Sequence, residues 1–168
     1  MIVSDDFVGL VPGRRYVTDV MPDGMWIRDG DAHPVARLPL LPGGEVCSAT
    51  GCWRVEVERP RRRWMVVARE LVSDEPVGCA YPRGFVDAFD LWAAPEREYR
   101  LREKLFSTTW ILRGELGEIA RLTAGTRGTI ALSESVTPDP QLALVILLSY
   151  EAIRYDGQIP GVSSGGGG

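Results

Sequence analysis

The chain has 168 residues, 45% hydrophobic and 25% charged, a balance that places it among ordinary folded domains and excludes the disordered and fibrous classes. Its length allows one domain with a core of its own, burying roughly 70% of the surface that the unfolded chain exposes. A net charge of −4 excludes a surface built throughout for nucleic acid, which needs a basic footprint, so nucleic acid is not an expected partner.

The opening MIVSDDFVGL has acids where a secretory signal carries basic residues, and no long apolar run follows. A cytoplasmic location is therefore expected. From about Phe7 to Glu134 the chain reads as short strands divided by turn residues. MWIRD and PVARL flank a turn at Asp29-Gly30 that also holds His33. As the one histidine, His33 supports no histidine-based metal cluster and reads as a surface turn residue. The phrase WIRDGDAHPVARL, Trp26 to Leu38, returns 84 residues later as WILRGELGEIARL, Trp110 to Leu122, with six of 13 positions identical. A recurring fragment of this size marks a repeated structural unit, here a hairpin, with Trp26 and Trp110 expected at equivalent core positions.

Cys47, Cys52 and Cys79 make an odd count without paired C-x-x-C spacing, so reduced thiols are expected, with neither a disulfide framework nor a zinc site. Cys47 and Cys52 can meet across a tight loop, but two thiolates without further ligands make a weak metal site. WRVEVE, Trp53 to Glu58, alternates strictly and puts Trp53, Val55 and Val57 on one face. WMVVA is its return strand. The polar tip between them carries Arg59, Arg61, Arg62 and Arg63, the densest charge feature of the chain. This tip has two readings: a solvated turn, or a contact for phosphate headgroups or a partner.

EPVGCAY and FVDAFDLW form the next hairpin, with Trp92 just before Ala93-Ala94-Pro95. Trp92 reads either as core or as part of a binding rim at a strand end. In EYRLREKL the cations Arg97, Arg100, Arg102 and Lys104 interleave with Glu96, Glu98 and Glu103, the pattern of a mixed-charge strand face. STTWILR, EIARLTA and GTIALS follow. Turn signals at this spacing give about eleven or twelve strands and an antiparallel barrel or sandwich.

TPDPQLALVILLSYEAIRYDG differs in kind. Asp139 suits an N-cap, Pro140 the first helical position, and Gly157 a left-handed residue after the last turn. From Leu142 to Leu148 this helix is apolar on every side, yet Ser149, Glu151 and Arg154 interrupt it well short of the ~20 residues that span a bilayer. A buried helix is expected, and no transmembrane span. One domain over residues 1–157 is expected, with a flexible Gly/Ser-rich tail over 158–168.

Many short antiparallel strands followed by one all-round apolar helix resemble the tubby C-terminal-like superfamily, which includes the LURP-one-related proteins and the phospholipid scramblases. YRLREKLFSTTWILRGELGEIARL and PQLALVILLSYEAIRYD carry the resemblance, which covers roughly Tyr16 to Asp156. It implies a mainly β fold, a closed antiparallel barrel of about twelve strands around a hydrophobic C-terminal helix, with Leu142 to Tyr155 threading the barrel. Tubby-like domains bind phosphoinositides through basic residues, but no family Lys/Arg pair matches particular positions here. The scramblases' Pro-rich segment, cysteine cluster, calcium-binding stretch and hydrophobic C-terminal extension have no counterpart in this sequence.

No G-x-x-x-x-G-K-[ST], G-x-G-x-x-G or G-x-S-x-G occurs, and the acidic pairs Asp5-Asp6, Asp29/Asp31 and Asp87/Asp90 do not define a cleft. No catalytic residue, metal or cofactor is expected. The function expected is a non-enzymatic binding module of the bacterial cytoplasm, peripheral at the inner membrane if its partner is lipid. Its partner is a protein or an anionic phospholipid surface, with Arg59, Arg61, Arg62, Arg63 and Trp92 as candidate contacts. The bacterial origin rests on an arginine bias typical of high-GC genomes, since Lys104 is the only lysine. A small-molecule-binding or hydrolytic barrel and a structural subunit of a larger assembly are the alternatives.

Overall fold

The computed structural model describes residues 6–41, 43–59, 63–84, 88–95, 97–104, 107–123 and 127–157. Twelve antiparallel strands run in chain order: β1 Arg15–Met21, β2 Gly24–Arg28, β3 Pro34–Leu38, β4 Gly44–Ser48, β5 Gly51–Glu58, β6 Met65–Glu70, β7 Pro76–Pro82, β8 Ala88–Ala93, β9 Arg97–Glu103, β10 Thr109–Gly114, β11 Gly117–Thr123 and β12 Thr129–Leu132. Each pairs with the next, and β1 closes the barrel on β12. Closure leaves no strand edge unpaired. One helix follows, α1 Pro140–Asp156. The sequence names ten of these strands directly; β1 and β4 lack the alternation that would reveal them. The expected tail over 158–168 lies outside the described residues.

Twelve strands enclose more space than their own side chains fill, and α1 occupies it. Every residue from Leu142 to Ile153 is buried, among them Leu147, Leu148 and Tyr150 at 1% exposure or less. The helix lies against β6, β7 and β8. That wall presents Ala68, Gly78, Ala80 and Ala93 inward, beside the larger Val66, Phe89 and Leu91. On this wall Gly78 makes room for the helix: a Cβ there would stand 3.3 Å from Leu148 Cδ2 and 3.1 Å from the Trp92 carbonyl.

Both ends of α1 are tied. The Asp139 carboxylate accepts from the N–H groups of Gln141 (2.9 Å) and Leu142 (3.0 Å), and Arg97 pairs with it at 2.6 Å. At the other end the expected left-handed Gly157 is not found. Gly157 keeps helical angles (φ −65°), and its N–H donates to the Ile153 carbonyl, so the helix ends by continuing its own ladder.

The repeated phrase does form two hairpins, β2–β3 and β10–β11, but in different registers. Trp26 pairs with Arg37, whereas Trp110 pairs with Leu122. The second turn is Glu115-Leu116 alone, while Asp29 to His33 separate the first pair of strands. A slip of one residue sends a side chain to the opposite face of its strand. Trp110 thus enters the core at 4% exposure, and Trp26 lies half-buried on the outer wall, capped by Phe7, Arg28 and Arg37. The two tryptophans are not equivalent, contrary to the sequence expectation. Ala36 and Leu38 do match Ala120 and Leu122, since both pairs face inward. Each of these hairpins carries a bulge, as β6–β7 does, leaving Val35, Val77 and Ile119 unpaired at even intervals along the chain.

Candidate functional site

In an antiparallel barrel alternate turns share an end. Contacts fix which turns surround the last turn of α1. Arg154 donates to the carbonyls of Pro39 (2.6 Å) and Leu40 (2.5 Å), Arg59 donates to the Tyr155 hydroxyl (2.8 Å), and Tyr150 donates to the Thr123 carbonyl (3.4 Å). The β1–β2, β3–β4, β5–β6, β7–β8, β9–β10 and β11–β12 connections therefore form one rim. The connections at the other rim surround the start of α1, where Arg97 holds Asp139.

The two rims differ in charge. Around the start of α1, Asp31, Asp74, Glu75, Glu115 and Glu134 are exposed, accompanied by Arg14, Arg15 and Arg97. Around its end, the β5–β6, β7–β8, β9–β10 and β11–β12 connections expose Arg59, Arg63, Arg83, Lys104 and Arg127. Acids on this rim are turned toward the wall: Glu58 holds Arg69 at 2.6 Å, and Asp23 accepts the Trp26 indole N–H at 3.0 Å. That indole bond holds the Asp23 carboxyl below its ordinary value. Among the described residues, Arg63, Lys104 and Arg127 form no ion pair.

Because strands follow one another around the barrel, these cations lie on one continuous arc. The remaining arc, β1–β2 and β3–β4, is rich in exposed apolar side chains around the one carboxylate Asp23: Val20 is 51% exposed, Met21 41%, Leu40 46% and Leu41 71%. The β3–β4 connection does not hang loose. Glu151, 1% exposed, accepts from the Gly43 N–H (3.0 Å) and from Arg154 (2.5 Å), and Arg154 grips two carbonyls of the same connection. Burial pushes the Glu151 carboxyl above its ordinary value, partly offset by Arg154 and the Gly43 N–H. Helix and apolar arc are thus joined by one buried ion pair.

The basic character continues from the rim onto the outer wall. Period-two alternation sends Arg100 and Arg102 outward and Leu101 inward. Arg100 lies directly across from Arg113 and across from Asp90, which it shares with Arg83 at 3.9 and 3.7 Å. These residues line a hollow of about 600 Å³ that also takes in Arg102 and Lys104. The outer face of β9 is thus mixed in charge, as the sequence leads one to expect, with Glu98 beside Arg100 and Arg102, and it turns basic toward its rim end.

Of the candidate contacts, Arg59 and Arg63 lie on the basic rim, while Arg61 and Arg62 lie outside the described residues. Trp92 does not join them. It sits half-buried on the outer wall, opposite Glu98 and Cys79, and borders a hollow of about 550 Å³ with Tyr81, Arg100 and Arg113. The sequence missed Arg83, Arg127 and the Leu40-Leu41 pair, because each stands alone in its own turn and only barrel closure brings them to one rim.

The expectation of three reduced thiols is corrected at two of them. Cys47 and Cys52 form a disulfide, with Cα atoms 4.1 Å apart, since β4 and β5 pair these positions directly. Cys79 is free, and burial pushes its thiol up. At the β2–β3 turn, Asp29, Asp31 and His33 bring ligand-type atoms within 4.8 Å of one another. Asp29 already accepts the N–H groups of Asp31 and His33 (2.9 Å each), which hold its carboxyl below the ordinary value and account for the cluster as a turn.

No protein-family model matches the chain, and no curated protein does. One solved structure is similar. It is the X-ray structure of a protein from Arabidopsis thaliana, 11% identical, with a TM-score of 0.48 over 82% of this chain and 91% of that one. No helix among the described residues is long and apolar enough to cross a membrane.

Proposed function

We propose that this chain is a tubby-like, non-enzymatic module that docks on an anionic phospholipid surface through the rim around the end of α1. The observation that carries the reading is the division of that rim into a basic arc and an adjoining apolar arc. A bilayer surface offers the matching pair, anionic headgroups above hydrocarbon, and side chains of both kinds set side by side engage both layers at once. Each of Arg59, Arg63, Arg83, Lys104 and Arg127 adds about 1 kcal/mol near an anionic membrane at moderate salt. Exposed Leu40 and Leu41 add about 1.5–3 kcal/mol each if fully buried among acyl chains. The acidic opposite rim would then face away, which fixes the orientation of the barrel. Arg61 and Arg62 belong to the same connection as Arg59 and Arg63 and are included in the proposed contact, while Trp92 and the basic wall flank it.

A small-molecule site in the lumen is less well supported, because α1 side chains occupy that space. A protein partner is the competing occupant of the rim. Co-sedimentation with vesicles of neutral and of anionic phospholipid, at low and physiological salt, separates the cases. Binding is expected only with anionic lipid, weakened by salt, lost in Arg83→Glu/Lys104→Glu/Arg127→Glu, and reduced but still salt-sensitive in Leu40→Ser/Leu41→Ser. Absence of binding at low salt, or binding unchanged in the charge-reversed variant, refutes the lipid reading.

A further inference from the structure

Away from the rim, on the outer wall, the β4–β5 hairpin gathers Glu45, Cys47 and Cys52, whose carboxylate and sulfur atoms all lie within 4.8 Å of one another. Glu45 and Cys47 are two residues apart on β4 and share its outer face; Cys52 is the cross-strand partner of Cys47. The Glu45 Oε1 atom is 3.4 Å from Cys47 Sγ. In the disulfide neither sulfur is a thiolate, and the hairpin can hold no metal. We propose that once reduced, this hairpin binds a thiophilic divalent cation, Zn²⁺, through both sulfurs and the Glu45 carboxylate, so that disulfide and metal exclude each other.

Three observations carry this. First, tetrahedral zinc at about 2.3 Å from each of two sulfurs needs those sulfurs about 3.8 Å apart. Side chains on Cα atoms 4.1 Å apart, directed to one face, reach that separation by rotation about χ1, with the backbone left in place. Second, the cations nearest the cluster are engaged elsewhere. Arg54, across the ladder from Glu45, pairs with Glu56 at 2.7 Å and with Asp74. Arg37, across from Cys47, stacks on the Trp26 ring and donates to the Asp23 carbonyl. Glu45 forms no ion pair among the described residues, and it is exposed, which leaves the fourth zinc position open to water. Third, the crosslink adds little as a staple. Ladder pairs from Gly44↔Val55 to Ser48↔Gly51 already fix the hairpin, β3 and β6 flank it, and the disulfide closes only a short loop.

The chemistry balances in two steps. A thiol or phosphine reductant breaks the S–S bond and is itself oxidised, leaving two protonated thiols. Zinc then displaces both protons as it binds, so loading releases two H⁺ and strengthens with pH. Two thiolates and one carboxylate fit zinc's preference for sulfur and leave the open position typical of sites that exchange ligands.

The test uses the full chain, reduced with a phosphine under anaerobic conditions and titrated with Zn²⁺ against a chromophoric chelator, then separately with Co²⁺. The reduced protein is expected to bind one equivalent of Zn²⁺, and Co²⁺ to give thiolate-to-metal absorption with the intense visible bands of tetrahedral coordination. The oxidised protein should bind neither. Cys52→Ser should abolish the signal, Glu45→Gln should weaken affinity by at least tenfold, and Cys79→Ala should leave it intact. Circular dichroism of each variant establishes that it is folded. No binding by the reduced native protein overturns the site, as does equal binding by the oxidised form, by Cys52→Ser or by Glu45→Gln.

Discussion

Replacing Arg154 by Met tests the buried pair at the end of α1 with a sign that depends on pH. The Arg154 guanidinium offsets the burial of Glu151, whose carboxyl already sits above its ordinary value. Without Arg154 the carboxylate keeps, among the described residues, the Gly43 N–H alone, and a stranded buried charge of this kind costs about 3–5 kcal/mol. A carboxyl whose folded pKa is raised holds its proton more tightly folded than unfolded. Its contribution therefore falls as pH rises from about 4.3 through the folded value, and the loss is complete above it. In Arg154→Met the folded value climbs further, so the cost grows as pH rises. As pH falls the raised carboxyl takes up its proton in the folded state, and the cost shrinks toward about 1–2 kcal/mol for the lost bonds to Pro39 and Leu40. Urea denaturation of the native protein, Arg154→Met, Glu151→Gln and the double variant at pH 5, 6.5 and 8 reads these terms directly. The double variant should regain most of the pH 8 loss, because no charge is left stranded. An Arg154→Met cost equal at pH 5 and pH 8, or a double variant as unstable as the two single losses added together, would refute the reasoning.

The register difference between the two copies of the repeat predicts unequal tryptophans in the same denaturation assay. Trp110→Ala should cost about 3–5 kcal/mol as a core deletion, whereas Trp26→Ala on the outer wall should cost under about 2 kcal/mol. Equal losses would contradict the one-residue slip. Gly78→Ala should lower stability by about 1–3 kcal/mol, because the new methyl meets the Trp92 carbonyl and Leu148 on the helix, while Gly30→Ala in an open turn should stay within about 0.5 kcal/mol of the native protein. A neutral Gly78→Ala would mean that α1 does not lie against β7 as closely as described.

The elements most legible in the sequence were those in which local chemistry and burial agree. The alternation of WRVEVE gave β5, with Val55 buried and Trp53 and Val57 packed against the core. The all-round apolar run gave α1, and Asp139 gave its start, because a capping carboxylate acts on N–H groups two and three residues away. The strands β1 and β4 were not legible, since RYVTDVM and GEVCS owe their place to neighbours on both sides.

The candidate site was legible only in fragments. Arg59 to Arg63 stood out because they are adjacent in sequence, and adjacency is what a linear reading detects. Arg83, Lys104, Arg127, Leu40 and Leu41 belong to four separate connections, and they share a rim because every second turn of a closed antiparallel barrel returns to the same end. The Cys47–Cys52 bond has the same origin: the ladder between β4 and β5 sets those residues face to face. The sequence by itself determined the strand-rich body, the apolar helix and its first turn, since these depend on periodicity and short-range hydrogen bonds. Register, the side of the barrel against which the helix lies, and the sorting of charge onto one rim were decided by tertiary structure alone. All three follow from closure, a long-range condition met by the whole set of turn lengths and side-chain volumes, and no single segment of the chain encodes it.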